Sequence, residues 1–90
     1  MPDNKYISSK RKQIDEIDEK ILYLLNDRAK LSLEIRDIKK DEGIALFDAK
    51  REEEIIKTLN SKNKGPLFKE NVRHIFKEII KTMRGLPDAK

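Results

Sequence analysis

The chain has 90 residues, of which 42% are charged, and its formal net charge is +4. A chain of this length forms one small domain, residues 1–90, with a modest core, and its lack of cysteine excludes disulfides, thiolate metal sites and thiol nucleophiles. Mixed charge with few aromatic residues is typical of solvated helices, and the positive charge suits an anionic partner.

The N-terminal residues are expected to form a short lead-in rather than a targeting segment. Met1–Lys5 lacks the apolar run of a signal peptide, and no stretch of the sequence approaches membrane-spanning length. We therefore expect a cytoplasmic protein that does not bind membranes. Residues 1–7 are predicted to be frayed, with Ser8 or Ser9 capping the helix that follows.

The longest predicted element is an amphipathic helix from Ser9 to about Asp41, ended by Gly43. At about 1.5 Å per residue it would be roughly 50 Å long and would overhang a domain of this size. A second chain or domain is therefore expected to cover its apolar face. That face, here called the apolar seam, consists of Ile14, Ile17, Ile21, Leu24, Leu31, Ile35 and Ile38.

One cation, Arg28, interrupts the apolar seam between Leu24 and Leu31. A guanidinium stays charged and is costly to bury, so Arg28 needs an anionic partner or a route for its head group to reach water. Two interpretations are open. Arg28 either extends to solvent or pairs with an internal carboxylate, or it belongs to a binding site.

A second helix is predicted from Ala49 to about Asn60, after an apolar connector at residues 44–47. Asp48 is its expected N-cap. Arg51 and Glu52 in its first turn share a face with the apolar residues further along the helix. Both are therefore candidate site residues.

A third helix is predicted over the apolar positions from Val72 to Met83, after a turn at residues 61–66. Gly85 and Pro87 are expected to end it. The predicted fold class is therefore all-α, with three helices per chain.

Most familiar catalytic sites are not supported by the sequence. Its glycines are isolated, so they form no phosphate-binding loop. The single histidine, His74, has Glu78 one turn away, but such a pair is more typical of a solvated helix surface than of a metal site. A serine nucleophile would lack a nearby base. We expect no metal and no cofactor.

The remaining candidates are cations beside the apolar seam. Arg11 and Lys39 are four heptads apart and flank the same side, but one helix cannot bring them and Arg28 around one small anion. An antiparallel second copy that crosses near residues 22–25 would bring its Arg11 level with residues 33–39. Two equivalent basic pockets per homodimer would result.

These residues carry a family resemblance. Over residues 8–86 the chain resembles the all-helical chorismate mutase family, and its third helix is similar to that of mutase domains fused to prephenate dehydratase or to 3-deoxy-7-phosphoheptulonate synthase. The motifs that carry the resemblance are Ile14-Asp-Glu-Ile-Asp18, Leu24-Leu-Asn-Asp-Arg28, Lys39 and Asp48-Ala-Lys-Arg51-Glu52.

The resemblance implies an intertwined antiparallel homodimer that isomerises chorismate to prephenate by an intramolecular Claisen rearrangement in aromatic amino-acid biosynthesis. Arg28 and the partner's Arg11 would clamp the two substrate carboxylates. Lys39 would donate to the enolpyruvyl side and the ether oxygen. No cofactor is implied, in agreement with the residues.

The resemblance also assigns roles at the second and third helices. Asp48 and Glu52 would hold the ring hydroxyl, supported by Arg51. Two substrate-binding positions depart from the family, which has a small polar residue where this chain has Met83 and a Gln or Glu where it has Pro87. Proline has no side-chain donor, so a neighbour substitutes, the alignment slips locally, the activity is weak, or a fused partner completes the site.

Two other functions remain open on the sequence. A regulatory mutase domain would bind chorismate or prephenate with little turnover, and Pro87 is its main support. A basic helical module would bind a protein or nucleic acid, although acids interrupt the basic residues and no aromatic cluster accompanies them, so we expect no nucleic acid. Residues 86–90 would form a tail or the start of a linker to a second enzyme.

Overall fold

The computed structural model describes residues 4–88 of the chain. Three α-helices follow one another as α1 (Lys5–Glu42), α2 (Ala49–Lys62) and α3 (Lys69–Arg84). Within residues 4–88 there is no β-strand. The predicted all-α fold with three helices is confirmed. The first residues of the expected lead-in and the last two of the expected tail lie outside the described part.

Helix α1 begins at Lys5, so the predicted start at Ser9 is wrong. The Oδ1 atom of Asn4 accepts a hydrogen bond of 2.8 Å from the backbone N–H of Tyr6. Asn4 therefore caps the helix, and Ser8 and Ser9 lie inside it. The expected frayed lead-in is already helical from Lys5 onward.

The C-terminal end of α1 is closed by Gly43, as predicted. Gly43 has φ = +70°, a left-handed conformation that glycine adopts without steric cost. Its N–H donates to the carbonyl of Lys40 over 3.3 Å, and the N–H of Ile44 donates to that of Lys39 over 2.8 Å. This pair of bonds is a Schellman motif, which satisfies carbonyls left open at the helix end.

Helix α2 continues to Lys62, past the predicted end at Asn60. The turn after it is held by the side chain of Asn63, which donates through Nδ2 to the carbonyl of Leu67 over 2.7 Å. The same side chain accepts a 2.9 Å bond through Oδ1 from the N–H of Gly65. The connection between α2 and α3 therefore covers residues 63–68, two positions later than the predicted turn at residues 61–66.

Helix α3 ends at Arg84, as predicted from Gly85 and Pro87 after it. The side chain of Asn71 accepts a 2.9 Å bond from the N–H of Phe68 at the start of the helix. At the other end the N–H of Gly85 donates to the carbonyl of Lys81 over 3.1 Å. The helix therefore stops before Pro87.

The chain divides into two compact units, one that ends at Leu31 and one that begins at Ser32. Among the described residues, the first unit consists of the N-terminal part of α1. The second unit contains the rest of α1 together with α2 and α3. The prediction of one domain over residues 1–90 stays a prediction.

The core of the second unit lies between α2 and α3. Among the described residues, three side chains are buried there: Ile56 is 1% exposed, Val72 5% and Met83 8%. Other apolar positions on the same faces are half-buried, and Ile75 is 41% exposed. Packing between these two helices is therefore what holds the start of α2 beside the end of α3.

The apolar seam of α1 is exposed in the part of the chain that the structure describes. Its isoleucine and leucine residues are all exposed, from 47% at Ile21 to 66% at Leu24. Scattered exposed apolar residues are ordinary, whereas a row that only Arg28 interrupts is typical of a helix face that packs against another surface. Over residues 4–88, no helix is both long and apolar enough to cross a lipid bilayer.

Candidate active site

Asp48 is the N-cap of α2, as predicted. Its Oδ1 accepts a hydrogen bond of 3.0 Å from the backbone N–H of Arg51. Its backbone carbonyl accepts a 3.1 Å bond from the N–H of Glu52. The Asp48 side chain therefore fixes the first turn of α2, which carries the candidate site residues Arg51 and Glu52.

Glu52 lies in that first turn and is largely shielded from water. Its side chain is 18% exposed, and its Oε2 pairs with Nη1 of Arg84 at the end of α3. The guanidinium carbon of Arg84 lies 4.6 Å from the centroid of the Phe47 ring, a cation–π contact. We call this arrangement of Phe47, Glu52 and Arg84 the Arg84 bridge.

Arg51 has a different environment from its neighbour Glu52. Its side chain is 65% exposed, and its Nη1 lies 3.9 Å from Oε1 of Glu54, one turn along α2. A contact of that length between exposed groups contributes little to stability. The structure therefore places Glu52 inward and leaves Arg51 accessible to solvent.

The segment that follows α3 is held on the end of α1 by Arg36. Its Nη1 donates to the carbonyl of Leu86 over 2.7 Å, and its Nη2 to Oδ1 of Asp88 over 2.9 Å. Lys40 also pairs with Asp88, at 3.1 Å. These bonds lower the pKa of Asp88, chiefly through the hydrogen bond from Lys40 and then through its charge, with smaller contributions from Arg36.

Met83 and Pro87 lie in different environments. Met83 is 8% exposed in the core, whereas Pro87 is exposed in the segment held by Arg36. Neither side chain has a hydrogen-bond donor. A polar group at this end of α3 must therefore come from another residue.

The three cations of α1 differ in exposure. Arg11 is exposed, whereas Arg28 and Lys39 are half-buried. Arg28 differs from the seam residues on either side of it, since Leu24 is 66% exposed and Leu31 60%. Arg11 and Arg28 belong to the first unit and Lys39 to the second. Their arrangement around one substrate stays a prediction.

A second Arg–Glu pair joins the same two helices away from these residues. Arg73 donates to both carboxylate oxygens of Glu53, each over 3.0 Å. This bidentate pair lowers the pKa of Glu53, mainly through the hydrogen bond from Arg73, with further contributions from the charges of Arg73 and Lys77. Among residues 4–88, no group of three or more acidic or histidine side chains is placed to hold a metal ion.

Sequence reasoning did not identify Arg36 or Arg84. Both are single cations on helices with many charges, and their partners lie far along the chain. A weak signal existed for Arg84, because a cation in the last turn of a helix complements its dipole. Its pairing with Glu52 depends on how α3 packs on α2, which no local pattern specifies.

Comparisons with known proteins agree on one family. The family model described as chorismate mutase type II matches residues 10–86. The chorismate mutase of Methanocaldococcus jannaschii is 36% identical over 77 residues, which cover 84% of this chain and 78% of that protein. The bifunctional chorismate mutase/prephenate dehydratase of Aquifex aeolicus is 42% identical over 80 residues.

The Aquifex match covers 84% of this chain but 22% of that relative, so the chain spans about a fifth of the length of the bifunctional protein. A solved structure of chorismate mutase from Thermus thermophilus, described as form II, superposes with a TM-score of 0.90 at 35% identity. That superposition covers 94% of this chain and 100% of the other. The chain belongs to the chorismate mutase type II family.

Proposed function

We propose that this chain catalyses the rearrangement of chorismate to prephenate, a step of aromatic amino-acid biosynthesis, without a cofactor. The observation that carries the proposal is the family match over residues 10–86. The match includes every candidate site residue except Pro87. An intramolecular rearrangement needs no nucleophile or metal, so the charged side chains of the candidate site provide the kind of chemistry required.

The active form is proposed to be an antiparallel homodimer in which a second copy covers the apolar seam. The exposure of the seam supports this, because each isoleucine or leucine would gain part of the about 1.5–3 kcal/mol that complete burial of such a side chain contributes. With Arg28 counted between Leu24 and Leu31, the seam positions recur with alternating spacings of three and four, which is typical of helices that pack along their length. The two chains would be intertwined through their α1 helices.

In this dimer the cations of α1 would hold the substrate in its reactive, folded conformation. Arg28 and the partner's Arg11 would each bind a carboxylate, since a guanidinium offers two parallel donors to such a group. Lys39 would donate to the ether oxygen. Negative charge grows on that oxygen as the C–O bond breaks, so a fixed cation there stabilises the transition state.

The first turn of α2 would hold the ring hydroxyl of the substrate. Glu52 and Asp48 would accept its hydrogen bond, with Arg51 in support. An ionised carboxylate has about four acceptor positions, so the N-cap bond of Asp48 leaves capacity for a ligand. Met83 and Pro87 would contribute apolar surface rather than hydrogen bonds.

A prephenate-consuming enzyme is the proposed functional neighbour of the chain. The Aquifex aeolicus and Pseudomonas aeruginosa relatives both combine a chorismate mutase with a prephenate dehydratase. Such a dehydratase, fused or separate, would use the product of the rearrangement directly.

The test is the loss of chorismate absorbance on addition of the purified chain, with prephenate identified as product. Arg28→Ala is expected to lower kcat/KM at least about a hundredfold, because it removes a cation placed at the substrate. Lys30→Ala removes an exposed cation from the same helix and is the matched control. Turnover in the wild type that is lost only in Arg28→Ala supports the proposal.

No turnover by a folded wild-type dimer would overturn the proposal. Saturable binding of chorismate or prephenate without turnover would then indicate a regulatory, binding-only domain. The departure at Pro87 is the observation that would account for that outcome.

A further inference from the structure

The Arg84 bridge links three parts of the second unit at one point. Phe47 precedes the N-cap of α2, Glu52 lies in its first turn, and Arg84 is the last residue of α3. The guanidinium pairs with the carboxylate and lies over the aromatic ring. Two different contacts therefore fix one side chain, which makes its orientation specific.

Arg84 supplies the ion-pair partner that the shielded carboxylate of Glu52 requires. A carboxylate that is only 18% exposed has lost most of its hydration, and an ion pair compensates for that loss. Arg84 itself is 41% exposed, so its charge keeps contact with water. Pairing therefore costs Arg84 little of its hydration. It restrains the carboxylate of Glu52, which is the more buried partner.

The backbone that carries Arg84 is also held in place. Gly85 donates to the carbonyl of Lys81 over 3.1 Å, and Arg36 donates to the carbonyl of Leu86 over 2.7 Å. Both bonds fix the end of α3, so the guanidinium extends from an anchored turn. A group held in this way loses less conformational entropy when it orients a neighbour.

We propose that Arg84 is a positioning residue that orients the Glu52 carboxylate to accept the ring hydroxyl of the substrate. This inference rests on the proposed function. Arg84 pairs with Oε2 of Glu52, and a carboxylate retains further acceptor positions for a ligand while it is paired. Because Met83 and Pro87 have no side-chain donor, Arg84 is the polar side chain that the end of α3 contributes to the site.

The chain supplies a matched control for this role. Arg73 on α3 pairs with Glu53 on α2 through two bonds of 3.0 Å, so the same two helices carry a second Arg–Glu pair. Glu53 is the neighbour of Glu52 but is not a candidate site residue. Loss of an inter-helix ion pair can therefore be separated from loss of the bridge to Glu52.

The experiment measures KM and kcat for chorismate in a double-mutant cycle of Arg84→Met and Glu52→Gln, with Arg73→Met as control. We expect Arg84→Met to raise KM about tenfold with kcat nearly unchanged, because binding to the hydroxyl acts on the substrate before and during the reaction. Arg84→Lys should recover part of that loss. Arg73→Met should leave KM at the wild-type value.

The cycle distinguishes positioning from general stabilisation. If Arg84 acts through Glu52, the effect of Arg84→Met on KM should fall below about twofold in the Glu52→Gln background. A purely structural role would lower the folded fraction, and hence the apparent kcat, without raising KM. Circular dichroism reports the folded fraction, and Arg84→Lys takes the place of Arg84→Met in the cycle if the latter does not fold.

Two results would overturn the inference. One is an unchanged KM in the folded Arg84 variant, and the other is the same increase in KM with and without Glu52. A wild type that does not turn over chorismate would overturn the proposed function and this inference together. Wild-type turnover combined with either of the first two results would overturn only the role of Arg84.

Discussion

Arg36 donates through Nη1 to the backbone carbonyl of Leu86 over 2.7 Å, and this bond joins the last part of α1 to the segment after α3. The Arg36 side chain is 14% exposed, so the bond is shielded from water. A charged donor to a shielded carbonyl is stronger than an ordinary surface contact. The end of α3, and with it Arg84, is therefore held by a residue of α1.

Arg36→Met should destabilise the chain by about 2 kcal/mol, because it leaves the shielded Leu86 carbonyl without its charged donor and also removes the exposed pair with Asp88. Urea unfolding followed by circular dichroism measures the loss. The control is Lys40→Met, which removes an exposed contact with the same segment and should cost much less. Equal losses in the two variants would contradict the importance of the Leu86 bond.

The stability of the chain should fall as the pH is lowered into the acid range. The pKa of Asp88 in the folded chain lies below its ordinary value of 3.8, first because Lys40 donates to the carboxylate. A depressed carboxyl pKa contributes stability that is complete above the unfolded pKa and disappears as the pH falls through the folded one. Because the pKa of Asp88 is lowered by folding, the free energy of unfolding should decrease at acid pH.

Asp88→Asn isolates that contribution. The difference in unfolding free energy between wild type and Asp88→Asn should be constant above about pH 5 and should shrink below about pH 4. Urea unfolding at a series of pH values measures it. A difference that does not change with pH would show that the charge of Asp88 does not stabilise the fold.

The core between α2 and α3 should depend on Ile56, which is 1% exposed. Ile56→Ala should cost about 3 kcal/mol, whereas Ile56→Val should cost about 1 kcal/mol, because the first leaves the larger cavity. Thermal and urea unfolding give both values. Similar costs for the two variants would contradict the close packing described around Ile56.

The apolar seam should control the oligomeric state. Ile21→Glu places a carboxylate on the seam and should convert a dimer to a monomer, because a buried unpaired charge is costly. Asn26→Glu adds the same group off the seam on α1 and should leave the dimer intact. Light scattering gives the mass. A monomeric wild type, or dimers in both variants, would contradict a seam-mediated dimer.

Local signals predicted the parts of the fold that depend on neighbouring residues. Gly43 and Asp48 were identified because a helix end requires a left-handed residue or a side-chain acceptor, and both requirements are visible in the sequence. The start of α1 was misplaced because Asn4, Ser8 and Ser9 are all competent caps. Nothing local distinguishes them, and the helix continues to the earliest one.

Contacts between helices explain the residues that sequence reasoning missed. Arg84 and Arg36 acquire their roles only once α3 lies beside α2 and the final segment lies on α1. The exposed row on α1 was anticipated, because its period is a property of one helix. The family resemblance rather than the spacing supplied the substrate and the role of each candidate residue.

A mixing experiment tests most directly the claim that two chains build each active site. Arg11→Ala and Arg28→Ala are each expected to be inactive alone. In a mixed dimer, one site would combine an intact Arg28 with an intact Arg11 from the partner. An equal mixture that exchanges subunits freely should therefore recover about a quarter of wild-type activity. Recovery of that size is the predicted result, and no recovery despite proven exchange would contradict the shared site.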